Sequence, residues 1–331
     1  MTELALCGLG NIGKVHLESL RSLRGCRLAG LFDRNLDVVQ RLSESTGIRA
    51  YASEDEMFGD PATAAVVIAT PSASHREFTV RALAAGKHVF VEKPLAGTLA
   101  DAAMIVDAKA KSDRVVQVGF CERFNVNYVE AKRAVANGRL GRIRAIQSSR
   151  TAPYCFSDPT WELGVLDTAV HNFDLILWFM GRAPKSVLAR GTQVYADSAI
   201  PHSVTTILTF DDGVIATDQV AWVRDDVHPL HQCARSRLVL HGDQGVFQID
   251  LSQRPSSLLT EAAFCEIDTV ILGGPEYYGC LKLQFDFFLR SIESGAPVMA
   301  TVEEALLTER VAIAAQESLH SGQEIKLDAI S

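Results

Sequence analysis

The chain is 331 residues long and 36.0 kDa, with 47% hydrophobic residues, a mean hydropathy of +0.10 and a formal net charge of -8 at a pI near 5.6. That length and apolar content suffice for a large core divided over two domains, while the acidic balance argues against a nucleic acid or an anionic membrane as partner, since both select for a basic face. No apolar stretch is long enough to span a bilayer, and Met1-Thr2-Glu3 leads straight into the first predicted strand without a secretory signal, so a cytoplasmic protein with small-molecule ligands is expected.

The first third alternates short β-rich runs with helical segments, the pattern of a doubly wound parallel sheet. Strands are expected at Leu4 to Gly8, Arg27 to Asp33, Ala65 to Thr70, His88 to Val91 and Val115 to Val118. Helices are expected from about Ile12 to Leu23, Leu36 to Thr46 and His75 to Ala85. The run Ala-Val-Val-Ile-Ala-Thr at 65–70 is continuously apolar almost to its end, as a strand covered by helices on both faces requires.

Beyond residue 120 longer β-runs take over. Ile143 to Arg150, Ser186 to Tyr195, Val204 to Phe210 and Val214 to Trp222 read as strands, with a hairpin turn at Asp211-Asp212-Gly213. Ser236 to His241 and Gly245 to Asp250 form a second hairpin. A long helix from about Trp161 to Met180 stops at Gly181, and two more, Tyr278 to Ser294 and Val302 to Ser321, close the chain. The expected fold class is α/β: residues 1–120 as a dinucleotide-binding domain on a parallel sheet, and residues 121–331 as an α+β domain on an open, mostly antiparallel sheet.

Gly8-Leu9-Gly10-Asn11-Ile12-Gly13 sits between the first strand and the first helix, the context a G-x-G-x-x-G dinucleotide fingerprint needs. The first glycine permits the tight turn, the second lets backbone approach a pyrophosphate and the third lets helix and strand pack closely. The helix amino end then faces the phosphates. Asp33, at the end of the second strand, is placed for the adenosine ribose hydroxyls and repels a 2′-phosphate, which favours NAD. Arg34 beside it could pair with that phosphate and keeps NADP open.

Thr70, Pro71 and Ser72 end the third strand on the cofactor side, and His75 opens the next helix. Glu92-Lys93-Pro94 delivers a lysine to the carboxyl end of the fourth strand, where open α/β sheets hold ligands. On the long helix Asp167 and His171 are four apart and share one face. Lysine, histidine and carboxylate together make a candidate proton-handling cluster. Arg123, Arg150, Tyr154, Trp161 and Asn172 are candidate substrate contacts. The absence of a basic cluster favours an unphosphorylated substrate. The seven scattered cysteines have no C-x-x-C spacing, so free thiols are expected, and no His/Cys spacing supports a metal.

The glycine fingerprint, Ala69-Thr70-Pro71, the run from Gly86 through Glu92-Lys93-Pro94, Val118-Gly119-Phe120 with Arg123-Phe124, and Asp167-x-x-x-His171 occur in one order. In that ordered set the chain resembles the glucose-fructose oxidoreductase and inositol dehydrogenase family, Gfo/Idh/MocA, over essentially its whole length. The resemblance implies a Rossmann domain followed by an open-sheet domain, residues 121–331, that binds substrate and makes homodimers or homotetramers through the exposed face of that sheet, and Lys93, Asp167 and His171 as catalytic residues. It further implies a dehydrogenase acting on a secondary hydroxyl of a sugar or cyclitol. His171-Asn172 departs from the His-Asp found in many inositol dehydrogenases. Two alternatives on the same scaffold are a glycosidase using NAD transiently and a non-enzymatic dinucleotide sensor.

Overall fold

The structure, a computed structural model, describes residues 1–153, 164–193, 201–223, 235–251, 257–259, 264–266 and 279–330. Tyr154 and Trp161 lie outside the described residues. In chain order the elements begin with β1 (Thr2–Cys7), α1 (Asn11–Arg21), β2 (Cys26–Phe32), α2 (Leu36–Thr46), α3 (Glu54–Gly59), β3 (Ala65–Ile68), α4 (His75–Ala84), β4 (His88–Val91), α5 (Leu99–Ala110) and β5 (Val116–Val118). They continue with α6 (Val126–Ala136), β6 (Ile143–Pro153), α7 (Leu166–Met180), β7 (Ser186–Thr192), β8 (Ser203–Thr209), β9 (Ile215–Val223), β10 (Arg235–Gly242) and β11 (Val246–Asp250). The chain closes with β12 (Ser257–Leu259), β13 (Phe264–Glu266), α8 (Cys280–Ser294), α9 (Val302–Ser321) and β14 (Ile325–Lys326).

Two compact units result, Met1–Asn125 with Asp268–Leu306, and Val126–Ile267 with Leu307–Ser331. The first carries a parallel five-stranded sheet in the order β2-β1-β3-β4-β5. Its alternating side chains feed two cores. Ala5, Cys7, Val66, Ile68, Val89 and Val91 face one side, and Leu4, Leu6, Ala65, Val67 and Phe90 the other. The second core is completed by Phe285, Phe288 and Leu289 of α8. A single chain crossing near residue 120 therefore misses a return: α8 belongs with the dinucleotide-binding sheet because its aromatic stripe is buried there. Each such buried side chain stabilises the fold by roughly 1.5–3 kcal/mol.

The second unit is built on a seven-stranded sheet in the order β11-β10-β6-β9-β8-β7-β14. Only β6 and β9 pair in parallel, and the other neighbours are antiparallel. The turn between β8 and β9 closes at Asp211-Asp212-Gly213, where Gly213 takes a φ of 80° and Phe210 N donates to Val214 O at 2.9 Å. α7 packs on β6 and β9. Ile146, Ser148, Arg150 and Ala152 of β6 and Ala216, Asp218, Val220 and Trp222 of β9 are buried, whereas the alternate residues Gln147 and Gln219, with Thr205 of β8, are exposed. α7 ends as its sequence predicts, at Gly181 with a φ of 65°, whose N–H donates to Leu177 O.

Candidate functional site

The glycine turn is shaped as its residue types require. Gly8 has a φ of 90°, and a Cβ there would lie 2.5 Å from the Ala69 carbonyl; at Gly13 it would lie 1.9 Å from Gly8 O. Both are glycine because the chain packs on itself. At Gly10 a Cβ would meet nothing within 4 Å, and Gly10 caps α1 with no capping side chain. Open space before uncapped first-turn amides is what a pyrophosphate uses, so the turn, with Asn11 and Ile12 in it, fits a dinucleotide.

Asp33 follows β2 and ties that strand to the turn. Its Oδ2 accepts from Leu9 N at 2.7 Å and its Oδ1 from Asn35 N at 2.8 Å. Arg34, exposed, lies 3.3 Å from Glu54 and 3.8 Å from Glu77, with its guanidinium 5.7 Å from the Phe78 ring centre. Arg81 pairs with the same Glu54 and with Asp55 at 2.7 Å. Four carboxylates and two guanidiniums thus surround the end of β2.

The third and fourth strand ends are latched together by His75. Its Nε2 is 2.8 Å from Thr70 O and its Nδ1 2.8 Å from Pro94 O, on a ring that is 1% exposed. Burial pushes this imidazole below its ordinary pKa, against the Thr70 and Pro94 carbonyls, which favour the charged form. Ser74 Oγ donates to Thr70 Oγ1 at 2.8 Å, fixing the Thr70-Pro71-Ser72 turn. His75 therefore joins the two strand ends, with both ring nitrogens engaged by backbone.

Glu92 is 6% exposed and divides its carboxylate. Oε1 is 2.6 Å from His16 Nε2 of α1, and Oε2 accepts from the backbone N–H of Lys93 at 3.0 Å. His16 is fully buried, edge-on to Phe90 and Phe285 at ring separations of 5.8 and 4.9 Å. Gly119 makes room for the carboxylate: a Cβ there would lie 2.8 Å from Glu92 Oε1. Lys93, half-buried and joined to Pro94 by a cis peptide bond, thus leaves a strand end pinned from two sides. Sequence reading passed over His16, yet it sits in the buried stripe Gly13, His16, Leu17, Leu20 of α1, where a histidine calls for a partner.

In the second unit Asp167 and His171 share one face of α7 and are half-buried. Three expected substrate contacts, Asn172, Arg123 and Arg150, lie in buried hydrogen bonds. Asn172 is 1% exposed; its Nδ2 donates to Asp218 Oδ1 at 2.7 Å and its Oδ1 accepts from Arg150 Nε at 3.0 Å. Arg123 is 1% exposed and donates to Met299 O and Glu304 Oε2, both at 2.7 Å. Arg150, 5% exposed, is likewise taken up by Asn172. Each of the three thus has at least one buried hydrogen-bond partner, as a polar group in the interior requires.

Among the described residues no cluster of three His, Cys, Asp or Glu side chains could hold a metal ion. No helix among them is long and apolar enough to cross a membrane. Cys7, Cys26, Cys121 and Cys280 are free thiols.

Comparison with known proteins agrees with this geometry. Residues 2–120 match the model of the oxidoreductase family with an NAD-binding Rossmann fold, and residues 128–248 match the Gfo/Idh/MocA C-terminal domain. The chain is similar to the myo-inositol 2-dehydrogenase of Thermotoga maritima, 27% identical over 99% of both chains. It is also similar to the scyllo-inositol 2-dehydrogenase (NAD(+)) of Bacillus subtilis, 24% identical over 98% of this chain and 96% of that one. Its fold matches that of the scyllo-inositol dehydrogenase from Lactobacillus casei solved with NAD(H) and scyllo-inositol, at a TM-score of 0.84, 20% identity and 99% coverage of both chains. A glycine turn built for a dinucleotide, a pinned Glu92-Lys93-Pro94 strand end and two successive domain models converge: the chain is an NAD-binding oxidoreductase and belongs to the Gfo/Idh/MocA family.

Proposed function

We propose that the protein is an NAD-dependent dehydrogenase that interconverts a secondary ring hydroxyl and a ketone of an inositol or a related, unphosphorylated sugar. The observation that carries this reading is the placement of Lys93, held at the end of β4 by Glu92 in the same unit as a phosphate-binding glycine turn, in a chain similar from end to end to an inositol dehydrogenase.

Gly8, Gly10, Asn11, Ile12 and Gly13 would hold the pyrophosphate through backbone, Asp33 the adenosine ribose, and Thr70, Pro71 and Ser72 the wall beside the nicotinamide, with His75 and Glu92 fixing that wall and the lysine. Bound NAD supplies the hydride acceptor. Lys93 and His171 handle the hydroxyl proton as the carbon-bound hydrogen leaves with its electron pair. Asp167 orients His171 or binds a neighbouring hydroxyl. NAD is favoured over NADP because Asp33, Glu54, Asp55 and Glu77 repel a 2′-phosphate, and the nearby cations are already engaged, Arg34 by Glu54 and Glu77 and Arg81 by Glu54 and Asp55.

The exposed alternate residues of the seven-stranded sheet, with Ile215 46% and Val246 59% exposed, favour pairing of copies into a homodimer or homotetramer through that face, and the free thiols suit a cytoplasmic setting. The decisive experiment screens purified protein with NAD and NADP separately against inositols, aldoses, amino sugars, their keto forms and nitrophenyl glycosides, following the absorbance of reduced cofactor and of released nitrophenol. Turnover of a cyclitol with NAD supports the reading. Release of an aglycone without NADH accumulation points to the glycosidase chemistry of the same scaffold, and NADH binding without turnover of any compound points to a sensor.

A further inference from the structure

One position along α7 from the candidate acid–base pair stands a second pair at the same spacing. Trp222 Nε1 donates to Thr168 Oγ1 at 3.0 Å, and Asn172 Nδ2 donates to Asp218 Oδ1 at 2.7 Å. Asp218 Oδ1 also accepts from Ser148 Oγ at 2.6 Å, and Asn172 Oδ1 accepts from Arg150 Nε at 3.0 Å. Trp222 and Asp218 are four apart on β9 and point to one side of the sheet; Thr168 and Asn172 are four apart on α7 and lie on one stripe.

Four residues span about 6 Å of helix and about 13 Å of strand, so the two bonds splay, the long indole bridging the difference. Two divergent bonds between one helix and one strand oppose both rotation and sliding of the helix. Apolar ridges alone tolerate small rotations, whereas a directional bond to a group buried at 1–5% exposure does not. Asp167 and His171 each precede a clamped residue, so they are turned about 100° from the clamped stripe and stay half-buried while Asn172 is sealed.

We infer that Thr168 and Asn172, anchored by Trp222 and Asp218, are positioning residues that set the rotational phase of α7 and thereby present Asp167 and His171 to the substrate. This rests on the reading of those two side chains as catalytic, and concerns residues that reach the chemistry only through the helix. Apolar substitutes at Thr168 and Asn172 would pack as well and leave the phase unspecified.

The test is a double-mutant cycle with a rescue. Because either bond alone can hold the phase, Thr168→Val and Asn172→Leu should each lower kcat only about threefold, while the double variant loses about 100-fold, more than the product of the singles, with KM for NAD unchanged within about twofold. Thr168→Ser in the Asn172→Leu background keeps the hydroxyl and should return kcat to the level of the single variant. In the double variant the His171 ring 1H–15N signals should broaden relative to the native protein. A folded double variant with kcat within about threefold of native and unchanged imidazole signals overturns the inference.

Should native protein transfer hydride to no polyol, the functional reading falls, and the imidazole signals still decide the clamp. Should Asn172→Leu fail to fold, amide hydrogen exchange over residues 166–180 in Thr168→Val and Trp222→Phe decides it. The clamp predicts faster exchange than native, and native rates would overturn it.

Discussion

The imidazole of His16 lies 2.6 Å from the carboxylate of Glu92, 76 residues away in the chain, and joins the helix that follows the glycine turn to the strand end that carries Lys93. Both partners are buried, so the bond is short, shielded from solvent and sensitive to loss of either group. His16→Ala would leave the Glu92 carboxylate facing apolar rings. The expected result is a loss of about 2–4 kcal/mol in stability by urea unfolding, together with a larger fall in kcat than rise in KM for NAD.

Gly119 has no positive φ, so its substitution reports space alone. Gly119→Ala should push the Glu92 carboxylate from its seat, since the new methyl would lie 2.8 Å from Oε1 and 3.2 Å from Glu92 Cα. A drop in kcat of about 10-fold or more is expected, with NADH affinity by fluorescence titration within a few-fold of native.

Asp218 offers a pH test. Burial pushes its carboxyl up to about 6, against Ser148, Asn172 and Arg150, which hold it down. An acid whose folded pKa is raised contributes stability that is fully present below the unfolded value near 3.8 and is lost as pH rises through about 6. Relative to native, Asp218→Asn should therefore gain roughly 3 kcal/mol between pH 4 and pH 7. A flat difference across that range would contradict the assignment.

Cofactor choice should turn on charge around β2. Glu54→Gln with Glu77→Gln frees Arg34 and should move the ratio of kcat/KM for NAD and NADP about 10-fold toward NADP, roughly 1.4 kcal/mol. Asp33→Ser should move it in the same direction and also weaken NAD, if Asp33 is the ribose acceptor proposed above.

Much of the geometry of the candidate site was legible in residue order. The glycine turn, the strand ending in Lys93 and the Asp167–His171 face depend on local spacing, which periodicity reports directly. The helix α8 was legible as a helix but not as a part of the first unit, because Phe285 and Phe288 announce burial without saying against which sheet. α3, α5 and α6 carry weaker stripes and were passed over, although Thr98 accepts from Asp101 N at 3.1 Å in a cap that the Thr-x-x-Asp spacing foreshadows. The buried partners of Arg123 and Asn172, Glu304 and Asp218, were not legible, because they lie 181 and 46 residues away in the chain.

Lys93→Met is the most direct measurement. The side chain keeps its length and loses its ammonium, so the account predicts NADH binding within a few-fold of native and turnover with the preferred polyol reduced by about 10³-fold or more. Near-native turnover in a folded Lys93→Met protein would contradict it.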